Sequence, residues 1–334
     1  RHGQQRRRRR LRPARPVPAP PAVFLSVVIP TYNRLPILRQ CLLALEDQQL
    51  AAPLQGYEVV VVDDGSTDAT VAWLEENREA LPHVRLFQQE HGGAGAGRNL
   101  GVRQARGEVI VFIDSDLVVT GDFLLSHATA LAADWQRRGN RLSFTYGAVI
   151  NTANFEAPTS ERHKLRDLSW AYFATGNVAI ERELLLRAGL FDPGFRLYGW
   201  EDLELGERLR QLGVRLVRCP RAVGYHWHPP LSLEQIPDLV RVEHERARMG
   251  LVFYRKHPSR RVRLIIQYTL WHRLLWELLT LGGLLNERSL RPLLGWLIRR
   301  GRPDLAMELL RLPLNRIGVR ALFAQARAEG LQPV

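Results

Sequence analysis

Two carboxylates, Asp114 and Asp116, stand one residue apart in the stretch EVIVFIDSDLVV (108–119). Side chains two positions apart on an extended chain point the same way, so both acids face one side at the tip of an apolar run. Like charges that close repel unless something positive lies near them. A second acidic pair, Asp63 and Asp64, ends YEVVVVDDGS (57–66). A lone Asp after a strand is usually a turn former or a helix cap, which is how Asp68 reads. Acids gathered from two strand ends suit a hard divalent cation instead, Mg²⁺ or Mn²⁺. Such an ion would itself carry phosphate oxygens, so a cation with a diphosphate behind it resolves the repulsion.

Other side chains could complete a reaction. GWED (199–202) puts Glu201 and Asp202 at a helix start. The helix dipole alone favours acids there, but a carboxylate can also take the proton of a hydroxyl nucleophile. GYHWHPP (224–230) places His226 and His228 on one side if extended. Two His without a Cys or a third His do not make a structural zinc site.

These groups need strands and helices to hold them. FLSVVIP (24–30), YEVVVVDDGS (57–66), VRLFQQ (84–89) and EVIVFID (108–114) read as strands. Helices are predicted over 35–49 and 67–80, and a glycine-rich turn runs into a short helix over 94–107. This alternation means parallel strands with right-handed crossovers and a sheet covered on both faces. The strands ending at Asp63 and Asp114 read as neighbours, with ligand bound outside their carboxyl ends. Beyond 120 the pattern loosens: a helix over 121–138, a strand over 141–150, a loop over 151–170, a strand near 174–180, a helix over 181–188. LYGWEDLELGERLRQLG (197–213) is a loop and a helix closed by Gly213, and VRLVRC (214–219) returns to strand.

SVVIPTYNR (26–34), VVVDDGSTDAT (61–70), the glycine-rich segment around 93–101 and VIVFIDSDLVV (109–119) resemble, in order and spacing, the motifs of family-2 glycosyltransferases with the GT-A fold. FDPGFRLYGWEDLELGERLRQLG (191–213) resembles the acceptor-side segment of that family and of the galactosyltransferase C-terminal type. The match covers roughly 24–230. It implies that Pro30, Thr31, Tyr32 and Asn33 line the nucleotide pocket, and that Asp63, with Asp64, hydrogen-bonds the base. Arg98 would meet the base or the diphosphate. Asp114 would face the ribose or sugar, with Ser115 beside it, and Asp116 would bind the metal. Asp202 would be the base, with Glu201 binding acceptor or sharing the role. Gly176, Asn177 and Trp200 would contact the acceptor, Trp200 having core packing as its alternative. His226, ahead of His228, would complete the metal shell. The implied reaction is an inverting transfer from a nucleotide-diphosphate sugar, UDP-linked for preference, to a saccharide or lipid-linked glycan. No Q-x-x-R-W motif of processive synthases follows, which leans towards single-sugar addition.

Composition bounds the rest. An apolar fraction of 46% over 334 residues supports one large core or two modest ones. Two cysteines, Cys41 and Cys219, argue against a disulfide scaffold and fit a reducing compartment. The net charge of +13 belongs to the flanks: residues 1–22 hold eight Arg and no acid, and residues 231–334 hold 18 Lys and Arg against nine Asp and Glu. Only Lys164 and Lys256 among the 47 basic residues are Lys, a skew that carries little weight as a nucleic-acid signal. The reading divides the chain into a disordered Arg/Pro tail (1–22) without the apolar stretch of a signal peptide, an α/β domain (23–230) and a basic helical region (231–334). Residues 264–285 are largely apolar but hold Gln267, His272, Arg273 and Glu277, which are costly in lipid. That favours a buried or amphipathic helix over a span; either an interfacial helix pair on anionic lipid or packing against the α/β domain fits. The expected setting is cytoplasmic, peripheral to the inner face of the plasma membrane. A nucleotidyltransferase is one rival reading, weakened by the absence of a Gly-rich, Lys-bearing phosphate loop. A non-catalytic membrane- or nucleic-acid-binding protein is the other, and the acidic middle disfavours broad nucleic-acid contact.

Overall fold

The computed structural model describes residues 21–162 and 171–331. The Arg/Pro tail, apart from its last two residues, and the end of the 151–170 loop lie outside the described residues. The elements run β1 (Val23–Thr31), α1 (Leu35–Glu46), β2 (Leu54–Asp63), α2 (Thr70–Glu76), β3 (Val84–Gln88), α3 (Ala94–Gln104), β4 (Val109–Ile113), β5 (Leu117–Val119), α4 (Phe123–Arg138) and β6 (Ser143–Thr152). Then follow β7 (Asn177–Glu181), α5 (Arg182–Ala188), α6 (Glu201–Gln211) and β8 (Arg215–Trp227). The helical part is α7 (Ile236–Lys256), α8 (Arg260–Ile265), α9 (Leu270–Leu279), α10 (Arg291–Arg299) and α11 (Pro303–Ala328).

The strands form one mixed sheet in the order β3-β2-β1-β4-β7-β6-β8-β5. Their near-continuous apolar runs are buried because both faces are covered. One face packs on α1 and α4 through Leu38, Leu42, Leu131 and Trp135. The other packs on α3, α5 and α6 through Val102, Leu185 and Leu205.

One expectation is corrected. The strands ending at Asp63 and Asp114 are not neighbours; β1 lies between β2 and β4 and pairs in parallel with each. After β3 the chain crosses back over the sheet to the free edge of β1. That reversal is a topological switch point, the place where an open α/β sheet leaves a crevice at its strand ends.

A second difference matters more for the site. The strand expected over 214–219 continues to Trp227, and the three-residue β5 pairs against its end, Leu117 opposite His226. Gly224 permits this pairing: a Cβ there would lie 2.5 Å from a Leu117 methyl. The sheet ends at Trp227, and the elements described from Leu233 onward are all helical. The helices are not a separate body, since Phe195, Trp200 and Leu203 pack with Leu251, Phe253 and Leu322 in one cluster. No described helix is long and apolar enough to cross a membrane.

Candidate active site

Asp116 sits in the turn between β4 and β5, buried at 6% exposure. Its Oδ2 accepts a hydrogen bond of 3.0 Å from Nη1 of Arg34. Nε2 of His226 lies 2.8 Å from its Oδ1, an ion pair when the imidazole is protonated. Burial opposes the charge on Asp116, but His226 and Arg34 overcome it and hold the carboxyl below its usual range. Asp116, His226 and His228 each offer one ligand atom, and the three atoms lie within 4.8 Å of one another. The β5–β8 register brings them together, and the two imidazole rings stand 4.1 Å apart. A buried carboxylate oxygen converging with two imidazoles is a donor set that fits a divalent cation.

Asp114 answers to a different cation. Arg98, buried on α3, donates from Nη2 to Asp114 Oδ1 at 2.7 Å, and its Nη1 lies 3.7 Å from Glu201 Oε1. The two acids of DSD are thus kept together by separate positive groups, Arg98 for one and Arg34 with His226 for the other. Gly176 lets the chain pass close by: a Cβ there would lie 3.3 Å from Asp114 Oδ2.

Through Arg98 the DSD turn reaches the first turn of α6. Asp202 follows Glu201 there and, among the described residues, has no ion-pair partner. Burial and the neighbouring Glu201 charge outweigh Arg98 and push the Asp202 carboxyl up to about 7. A carboxylate with that affinity for protons can accept one from a hydroxyl near neutral pH.

The strand ends of β1 and β2 supply polar atoms without partners. Thr31 Oγ1 and Asp63 Oδ1 are both buried and unbonded, on residues paired across the two strands. Tyr32, next in the chain and 43% exposed, has its ring 4.5 Å from that of His91. Pro30 is buried under the glycine-rich turn at Gly97, and Ser115 is buried between the two DSD acids.

Several expected ligand contacts prove to be fastenings. Asp64 accepts from Gln89 and from the backbone of Gly92 and Gly93, so it pins the 89–93 loop. Asn33, at φ 51°, accepts from the Thr67 and Asp68 amides and ties two loops together. Asn177 is fully buried, with Oδ1 2.9 Å from His127 Nε2 and its amide donating to Ala148 and Ala222 carbonyls. It cannot reach an acceptor. Trp200 donates its indole N–H to the Arg246 carbonyl under the Arg246 guanidinium, so it packs α6 on α7. Asp68 accepts from Thr70 at the start of α2, as a cap would.

Sequence reasoning passed over Arg34 and His91. Arg34 closes the SVVIPTYNR segment, and the available signal was the need of Asp116 for a cation. Nothing local pairs residues separated by 82 positions.

Acids, cations and unpartnered polar atoms converge on the switch point of a mixed α/β sheet, consistent with the GT-A fold. Residues 26–186, just under half of the chain, match the family model described as Glycosyl transferase family 2. The chain is 26% identical over 266 residues to the uncharacterized glycosyltransferase YfnE of Bacillus subtilis, across 64% of this chain and 67% of that one. It is 30% identical over 243 residues to the chondroitin synthase of Escherichia coli, across 62% of this chain but only 35% of the synthase. The mannosyltransferase PcManGT of Pyrobaculum calidifontis, solved with GDP-Man and Mn²⁺, superposes with a TM-score of 0.52 at 21% identity, across 96% of this chain and 81% of that one. That likeness shows the shared fold.

Proposed function

We propose that the chain is an inverting, metal-dependent glycosyltransferase. It would move a sugar from a nucleotide-diphosphate donor, UDP-linked for preference, to a hydroxyl of a saccharide or lipid-linked glycan on the cytoplasmic side. One observation carries this reading: the metal-ready group of Asp116, His226 and His228 is linked to the base candidate Asp202 through Asp114, Arg98 and Glu201.

Thr31, Asp63 and Tyr32 would take the base and ribose at the ends of β1 and β2. Arg98 pairs with Asp114 and lies near Glu201, and Asp202 is left as the acid free to accept a proton. Arg34, now on Asp116, would turn to the diphosphate. Asp116, His226 and His228 would hold the cation, and their mixed oxygen and nitrogen donors argue for Mn²⁺ ahead of Mg²⁺, which keeps to oxygen. The ion, when bound, offsets charge growing on the leaving diphosphate. Asp202 then removes the acceptor proton as the hydroxyl attacks the anomeric carbon from the face opposite the diphosphate. The C1–diphosphate bond breaks as the new glycosidic bond forms.

A donor screen by nucleoside-diphosphate release tests this. UDP-Glc, UDP-Gal, UDP-GlcNAc, GDP-Man and dTDP-Rha would each be offered with Mn²⁺ or with EDTA, to wild type and Asp116→Ala. Metal-dependent release from one donor, lost in the variant, supports the reading. Release that ignores EDTA refutes metal dependence, and no donor-induced thermal shift from any of the five refutes donor binding.

A further inference from the structure

Helix α9 and the turn after it leave an apolar face uncovered. Leu270, Trp271, Leu274 and Leu278 recur at helical spacing and are 56%, 67%, 53% and 64% exposed. Leu281 and Leu284 extend the stripe at 61% and 73%. Single exposed apolar residues need no explanation, but this many in one short stretch form a patch. The helix is not loose. Its other side is fastened by Trp276, whose indole donates to Gln267 at 2.6 Å, and by Glu277, which pairs with Arg316 at 2.9 Å.

The sequence around the stripe is predominantly basic, although Arg255, Lys256 and Arg261 pair with Glu329, Asp192 and Glu207. Residues 255–302 hold eleven Lys and Arg and only two acids, Glu277 and Glu287. Glu277, the acid of α9, is neutralised by Arg316 and lies 3.7 Å from Arg320 as well. A second copy of this chain, docked face to face, would set two such basic surrounds against each other. An anionic surface is complementary to the patch and its surround together. The helix has ten residues, too few to span a bilayer, which restricts it to lying in the interface.

We propose that this face docks on an anionic lipid bilayer, with Leu270, Trp271, Leu274, Leu278, Leu281 and Leu284 entering the boundary between headgroups and acyl chains. The surrounding Arg side chains meet lipid phosphates. This does not rest on the transfer reaction. It does have a consequence for it, because Trp276 belongs to the apolar cluster that also holds Trp200 and Leu203, on either side of Glu201 and Asp202. Docking fixes the acceptor-side helix relative to the membrane.

The test uses the full chain and vesicle flotation, with phosphatidylcholine alone and with added phosphatidylglycerol. The comparison is a triple variant, Trp271→Glu, Leu274→Glu and Leu278→Glu, whose side chains are exposed, so its melting temperature and circular dichroism should match wild type. Wild type is expected to float with the anionic vesicles, and the variant's partition to fall at least about tenfold. The Arg-rich residues 1–22 are intact in both proteins, so a loss belongs to the face. Brominated acyl chains should quench wild-type tryptophan fluorescence, and Trp271→Phe should remove most of that quenching. Equal flotation of wild type and variant would overturn the proposal, as would absence of bromine quenching. So would a wild-type dimer by light scattering that the variant turns into a monomer without any flotation, since a second copy would then cover the face.

Discussion

The DSD turn and the start of α6 both present adjacent acids, and the molecule treats them in opposite ways. At the turn each acid has a cation of its own, Arg98 on Asp114 and Arg34 with His226 on Asp116. Burial there is outweighed, and the Asp116 carboxyl is held below its usual range. At α6, Glu201 faces the same Arg98 at the longer distance of 3.7 Å, and Asp202 is left with burial and a like charge beside it. One side chain type is held in its charged form where cations surround it and pushed towards its protonated form where they do not. The difference lies in the neighbours, not in the carboxyl.

Disrupting either half should separate the roles. Asp202→Asn should lower single-turnover transfer about 10²–10⁴-fold, the range a general base supplies, while the thermal shift given by donor and Mn²⁺ is retained. Loss of donor binding together with turnover would place Asp202 on the donor side and erase the contrast. Asp116→Ala, or EDTA on wild type, should abolish the metal-dependent part of that thermal shift and cut turnover about 10²–10³-fold. Arg34→Ala should act more mildly, weakening donor binding about tenfold as one charge-assisted contact is lost, read as a rise in donor KM with kcat less affected.

The pH dependence sharpens the comparison. A base is useful only when deprotonated, so kcat/KM should rise with pH through about 7, the value to which Asp202 is pushed. Glu201→Gln removes a like charge that favours the protonated form of Asp202. The rising limb should therefore move to lower pH, measurable in a pH–rate profile. A limb that stays in place would assign it to another group. The smallest expected effect is on stability alone. Asn177→Ala removes partners from His127 and two buried carbonyls and should cost about 1–3 kcal/mol in denaturant unfolding, with metal affinity unchanged.

Much of this was legible in the chain itself. The apolar runs ending at Asp63 and Asp114, the glycine-rich entry to α3 and the acids of GWED each mark an element and a chemical group within a few residues. Side-chain alternation placed Asp114 and Asp116 on one side before any fold was known. Other features were not legible for a common reason. The resemblance puts Asn177 among the acceptor contacts, but its burial against His127 depends on how β7 lies beside α4. Trp200 reads equally as a platform for sugar or as a packing residue, and its contacts with Arg246 of α7 favour packing.

Local periodicity and end signals arise from interactions between near neighbours along the chain, so the strands, the helix starts and the acid pairs could be read from residue order. Pairing partners arise from contacts between distant segments, and many alternatives satisfy the same pattern. That β1 separates β2 from β4, that Leu117 lies opposite His226, and that Arg34 reaches Asp116 are facts of assembly. They were settled by which arrangement buries the apolar faces and pairs most of the buried charges.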